Sequence, residues 1–153
     1  MRQVLTRCKK VNSVAGFMLG AVLAAAGLPV AQAAITGPLA QAVEQGKHIF
    51  VHDTFDGRGM TCQSCHSAAG LGPTVVPGSS MKGPSLANAA AIFPRFKARE
   101  GKVITLEDQI NGCIAGALGG KAPGYDSDAM RALVSYLTSL SQGKPVDMGG
   151  PLQ

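Results

Sequence analysis

The sequence predicts an all-α, single-domain fold, and three observations carry that expectation. Apolar residues recur at three- and four-residue steps in several stretches, and no segment alternates with period two. The part of the chain that follows an N-terminal leader is about 120 residues long, the size of one domain. Cys62-Gln63-Ser64-Cys65-His66 sets two thiols two residues apart, with an imidazole directly after the second. That is the attachment pattern of a c-type haem.

The chemistry explains the spacing. Each thiol can add to one vinyl group of a porphyrin, so Cys62 and Cys65 become thioether anchors. His66 then lies where its imidazole can bind the iron from the proximal side. A structural zinc ion would need about four ligands, and no second Cys/His pair supplies them. A thioredoxin-like pair would open a helix in a βαβ unit, and no parallel-sheet pattern surrounds the motif. The expected architecture is a cytochrome c fold around one covalently bound haem, over residues 34–145. The chain has no Trp, five Phe and two Tyr, so the macrocycle supplies an apolar plate that a thin core needs. Gly70 to Pro73 would let the backbone run close to it.

Residues 1–33 carry the pattern of a secretory signal peptide. Arg2, Arg7, Lys9 and Lys10 form a cationic start, Val14 to Val30 is apolar, and Ala31-Gln32-Ala33 is a cleavage site. Cleavage would remove Cys8, leave no membrane span and deliver the chain to the periplasm. No twin-arginine pair is present, so haem attachment follows export. The whole chain has 14 basic and 9 acidic residues. Four of the basic ones lie in the leader, leaving ten against nine, so charge gives no support for nucleic acid binding.

The helices follow in order. Pro38 to Val51 is the first, with Leu39, Ala42, Val43, Gly46, Ile49 and Phe50 on one face and Pro38 suited to the first turn. Asp53 to Gly59 is a turn-rich connector, and Leu71 to Gly83 is a Gly/Pro-rich loop. Ser85 to Phe93 predicts a short Ala-rich helix ended by Pro94. Thr105 caps the next helix, and Glu107 and Asp108 favour its positive end. That helix runs through Ile110 and Cys113 and frays in the glycines at 116, 119 and 120. Ser127 to Leu140 is the last, with Met130, Leu133, Val134, Leu137 and Leu140 as its apolar stripe. Gly46 and Tyr136 would let the first and last helices cross closely. Residues 146–153 read as a flexible tail.

The second axial ligand is less clear. Small cytochromes usually offer a methionine before a proline ahead of the last helix, and here Lys121-Ala122-Pro123 has no such methionine. Cys113 is the one thiol left once the haem and the leader have taken the others, in a compartment that oxidises thiols. Its other readings are a small buried hydrophobe or an intermolecular disulfide. Met81, in the Gly/Pro-rich loop, is the alternative distal ligand. Met130 fits the core better, Met60 precedes the motif too closely, and Lys121, His48 and His52 are weaker candidates. Arg95, Lys97, Arg99 and Lys102 form a basic cluster that suits an anionic substrate, haem propionates, an acidic redox partner, or plain solvent.

Phe93-Pro-Arg-Phe, Glu107-Asp-Gln-Ile-Asn-Gly-Cys113 and Met130-Arg-Ala-Leu-Val-Ser-Tyr-Leu resemble the haem domains of the SoxA and thiosulfate dehydrogenase group. The likeness runs from about Gly46 to the final helix and looks closest to the N-terminal haem domain of the dihaem thiosulfate dehydrogenases. It implies that Cys113 is the distal haem ligand, and Arg99 matches an arginine of the family. Two positions depart from the pattern. Gln109 stands where an arginine is typical, and Gly116 where a serine is common. An amide in place of a guanidinium removes a charge and a bidentate donor. The expectation is an exported monohaem c-type cytochrome that transfers electrons in sulfur-compound oxidation, with a redox partner such as a second cytochrome or an oxidoreductase subunit. The alternative is a tetrathionate-forming thiosulfate dehydrogenase, or its haem subunit, with Cys113 and Arg99 as candidate catalytic residues. A third is a sensor whose distal ligand a small molecule displaces.

Overall fold

A computed structural model describes residues 34–72, 74–75 and 82–152. The expected leader, 1–33, and Met81 lie outside the described residues. Residues 32–153 form one compact unit.

Helix α1 spans Gly37–His52, with Pro38 in its first turn. Its apolar face buries Phe50 and Gly46. Helix α4 spans Asp128–Leu140 and buries Met130, Ala132, Leu133, Tyr136 and Leu137. The Ser127 side chain caps it by accepting from the Met130 amide at 3.1 Å. The two helices cross where the sequence expects. A Cβ on Gly46 would overlap the Ala132 carbonyl and come within 2.7 Å of the Tyr136 Cβ. Only a residue without a side chain allows that approach.

The core lies under this crossing. Ile114, Met130 and Leu133 are each about 1% exposed, and each contributes about 2 kcal/mol through burial. Phe50 meets Tyr136 edge-on at 5.5 Å. The Tyr136 hydroxyl donates to the Ala69 carbonyl. Ala68 and Ala69 hold φ values of 50° and 52°, a left-handed turn that costs free energy for a residue with a Cβ. Tyr136 thus ties the helix crossing to the strained turn just after His66.

Helix α2 is the single turn Cys62–Cys65. Thr61 and Ser64 hydrogen-bond reciprocally at its start. Helix α3 spans Leu106–Cys113. Its N-terminus is fixed by the Thr105 amide donating to Asp108 Oδ2 at 2.9 Å and the Asp108 amide donating to Thr105 Oγ1 at 3.3 Å.

Four sequence expectations change. No sheet was expected, yet two short antiparallel ladders form: β1 (Thr74–Val75) with β2 (Lys82–Gly83), and β3 (Arg95–Lys97) with β4 (Lys102–Ile104). The fold is still dominated by helices. The Ala-rich segment 85–93 forms only the 3₁₀ turn Ala89–Ile92, with Pro94 closing off any continuation of the turn into a longer helix. The stretch after Cys113 does not fray. It continues as a π-helical turn, Ile114–Leu118, ended by Gly119 in the left-handed region at φ 62°. The tail is tied rather than loose. The Asp147 amide donates to Ala91, the Gly149 amide to Ile92, and the Asn88 side chain to Pro151.

Candidate functional site

A cavity of about 660 Å³ opens between α2, the β3–β4 hairpin, α3 and α4. Its walls are mostly apolar, with Phe50, Ile92, Ile104, Leu133 and Leu137 among them. Cys62, Cys65 and His66 line it, and so do Gln109 and Cys113. Two stretches of chain nearly fifty residues apart in sequence therefore meet at one site.

A second set of contacts fixes their separation. The connector before α2 is clipped to the end of the π-helical turn: the Arg58 amide donates to the Leu118 carbonyl at 2.9 Å, and the Lys121 amide to Phe55 at 2.7 Å. A Cβ on Gly120 would come within 2.6 Å of the Phe55 carbonyl oxygen. A π turn widens the helix by one residue per hydrogen bond and occurs mostly as a single turn near functional sites. Here it sits directly after Cys113.

His66 is oriented by the backbone. Its Nδ1 lies 2.8 Å from the Pro84 carbonyl. A carbonyl only accepts, so Nδ1 carries the proton and Nε2 keeps its lone pair for a metal. Gly83 makes this possible, because a Cβ there would run into the Cys65 carbonyl. Phe50 stacks obliquely near the imidazole, with ring centroids 6.5 Å apart.

The thiols of the motif are electrically quiet. Burial, then the nearby Cys113 sulfur, pushes Cys62 up to about 12. The same two causes, in that order, raise Cys65. Cys113 is close enough to act on both. On its own helix the Gln109 side chain donates to Cys113 Sγ at 3.2 Å.

The hairpin presents both cations and apolar groups to the cavity: Arg95, Phe96, Lys97 and Ile104 line it, with Ile104 buried, while Phe96 and its cross-strand partner Val103 stay 61% and 65% exposed. Glu100 at the turn binds Lys97 at 2.7 Å and Lys102 at 3.5 Å. The Lys97 hydrogen bond is the first cause that holds its carboxyl below the usual range. No carboxylate among the described residues pairs with Arg95 or Arg99. Arg99 also lines the cavity, while Lys102 is not among its lining residues.

The other ligand candidates fall elsewhere. Met130 is buried in the core and Met60 packs against it. Lys121 is exposed beside Asp56 at 3.4 Å. His48 and His52 are exposed on α1 with ring centroids 4.8 Å apart. Two features of the site were not read from the sequence, the Pro84 carbonyl on His66 and the Gln109–Cys113 bond. The four-residue spacing of Gln109 and Cys113 on one helical face is a signal that could have revealed the second.

The cavity suits the group that the motif calls for. Its size is that of a site for a large ligand and its lining is apolar. A metal-ready imidazole lies beside two thiols, and cations are present to receive carboxylates. Comparison with known proteins agrees. A family model described as SoxA/TsdA, cytochrome c domain, matches residues 45–146. The thiosulfate dehydrogenase of Allochromatium vinosum is 32% identical over 131 residues, 78% of this chain and 44% of that protein. The solved thiosulfate dehydrogenase (TsdBA) from Marichromatium purpuratum is 25% identical, with a TM-score of 0.59, covering 80% of this chain and 28% of that one. SoxXA from P. pantotrophus is 26% identical, with a TM-score of 0.56, covering 73% and 37%. The chain spans less than half the length of each of these relatives. No helix among the described residues is long and apolar enough to cross a membrane.

Proposed function

Because the chain belongs to the SoxA/TsdA cytochrome c domain family, which implies covalent haem c, we propose that it is an exported electron-transfer cytochrome of sulfur-compound oxidation. Cys62 and Cys65 are the thioether anchors of one haem, and His66 is its proximal ligand. Cys113 is the distal ligand. When bound, the haem supplies a one-electron ferric/ferrous couple. The chain's own residues do the rest. The Pro84 carbonyl holds His66 in the metal-binding tautomer. The apolar walls keep water from the iron. Arg95, and Lys97 beside its Glu100 partner, line the cavity and would offer positive charge to the carboxylates of the group. An anionic sulfur ligand favours ferric iron, so the potential is low.

One observation carries this reading. A tautomer-fixed imidazole and an otherwise unused cysteine open onto the same cavity as the two motif thiols. Residues 1–33 serve as the export signal, and a second cytochrome or an oxidoreductase subunit is the redox partner. The test is low-temperature electron paramagnetic resonance of the ferric protein beside Cys113→Met. A low-spin thiolate signal that disappears in the variant supports the assignment. The same signal in both proteins removes Cys113 from the iron.

Arg99 favours a second reading. An unpaired guanidinium at the cavity suits a divalent sulfur anion. In that case two thiosulfates couple to tetrathionate and yield two electrons, which an external acceptor takes. Tetrathionate formation with an artificial acceptor, no greater than in Cys113→Ala, argues for the electron-transfer role alone.

A further inference from the structure

We propose that Gln109 sets the electron affinity of the iron by hydrogen-bonding the sulfur of Cys113. The inference rests on the reading of Cys113 as an iron ligand. The structure gives the Gln109 amide a partner of its own in Cys113.

The geometry is specific. Nε2 of Gln109 lies 3.2 Å from Cys113 Sγ. The two residues are four apart on α3, on one face, and both line the cavity. The amide is half-buried, so water competes with it only partly. The helix between them is held at both ends, by the Thr105–Asp108 box before Gln109 and by the π-helical turn after Cys113. The donor therefore sits at a fixed height over its acceptor. Among the described residues no other side chain donates to this sulfur.

The consequence follows from charge. A thiolate stabilises ferric iron by giving electron density to it. A hydrogen bond to the sulfur draws part of that density back, so the ferric state loses some of its advantage. The ferric/ferrous balance shifts toward ferrous. The amide achieves this as a neutral group, which leaves the net charge of the site unchanged. Gln109 is thus a positioning residue that acts through Cys113 and need not touch the haem.

The test is a double-mutant cycle on the full-length holoprotein, matured with its haem and titrated by spectroelectrochemistry. Gln109→Leu removes the donor and keeps the bulk. The expected result is a lower midpoint potential, about a tenfold shift of the one-electron equilibrium toward ferric, or roughly 59 mV. The thiolate-to-iron charge-transfer band should move to longer wavelength. In a Cys113→Met background the same substitution should leave the potential nearly unchanged. An equal shift in both backgrounds, or none in the Cys113 protein, overturns the inference. If Cys113→Met itself leaves the ferric spectrum as it was, the ligand assignment fails first, and that result is visible before Gln109 is touched. Gln109→Asn, whose amide is too short to span to Cys113, repeats the measurement should the leucine variant not fold.

Discussion

The chain around Cys62, Cys65 and His66 and the chain around Gln109 and Cys113 reach the same cavity by different constructions. The first is five contiguous residues on one helical turn, backed by the Gly83–Pro84 segment that pins the imidazole. The second is a longer assembly of α3, a π-helical turn and a clip to the connector before α2. The first is built for attachment, with little room to vary. The second holds one sulfur under the influence of a neighbouring side chain, which can be exchanged without rebuilding the backbone. On the proposed reading, attachment and tuning fall on separate pieces of the fold.

Breaking the attachment side should have the largest effect. His66→Ala removes the imidazole that the Pro84 carbonyl orients, the proposed iron ligand, and Cys62→Ala with Cys65→Ala removes both proposed anchors. The expected outcomes are unstable haem in the first and none in the second, read as lost Soret absorbance and, for the pair, a mass equal to that of the polypeptide. Gly83→Ala should act almost as strongly from outside the motif. Its Cβ runs into the Cys65 carbonyl, and the overpacking costs about 1–3 kcal/mol. A lower melting temperature and a reduced haem yield would be seen together. Normal yield in this variant would show that the loop is free to move away from the motif.

Cys113→Ala should separate the two sides. The haem stays covalently attached, because its anchors lie elsewhere, while the potential rises as the anionic donor is lost. A variant that kept the parent potential would place another ligand on the iron.

This asymmetry also governs what the sequence disclosed. The motif residues are adjacent in the chain, so their spacing alone raises the expectation of attachment, and the long amphipathic helices with the Gly46–Tyr136 crossing are legible in the sequence as well. The second side depends on contacts between distant segments. The hairpin escaped notice because three residues per strand are too few for an alternation. It also mixes cations with apolar groups at the cavity, where Arg95 and Lys97 lie beside Phe96 and Ile104. The glycines at 116, 119 and 120 suggested fraying, yet Gly119 ends a π turn and Gly120 makes room for the Phe55 carbonyl. Pro84 acts through a backbone carbonyl, which no residue type announces. Gln109 was read as a lost charge because its partner is visible only once the helix is built.

Tyr136→Phe should have a smaller effect, and it probes how the helix crossing supports the turn after His66 on the first side. The ring keeps its place on Gly46 and Phe50, but the bond to the Ala69 carbonyl is lost. The cost should be about 1 kcal/mol, measured by chemical denaturation. Proximal-side spectral features should broaden as the turn at Ala68 and Ala69 relaxes. Unchanged stability would mean that the turn is held by its local amide contacts alone.

The smallest effect falls on the second side alone and depends on pH. Asp108 closes the first turn of α3, and its carboxyl is held below the ordinary carboxylate value. The Thr105 backbone amide is the leading cause and the Tyr125 hydroxyl the next, the latter donating at 2.6 Å. A carboxyl with a lower value folded than unfolded binds fewer protons in the folded state. Its stabilising contribution is therefore complete above the unfolded value and disappears as the pH falls through the folded one. Acidification below the ordinary carboxyl value of 3.8 should loosen α3 at Thr105 and let Gln109 and Cys113 shift, while His66 and its Pro84 contact stay in place. Hydrogen exchange should show faster amides at the start of α3 before any change in the first turn of α4, and the thiolate band should move in the same interval. Asp108→Asn keeps an acceptor oxygen but has no proton to gain, so its α3 protection should no longer vary over this range through residue 108. If the wild-type amides of both helices lose protection together, acid acts on the whole domain and the two sides of the cavity are not independent.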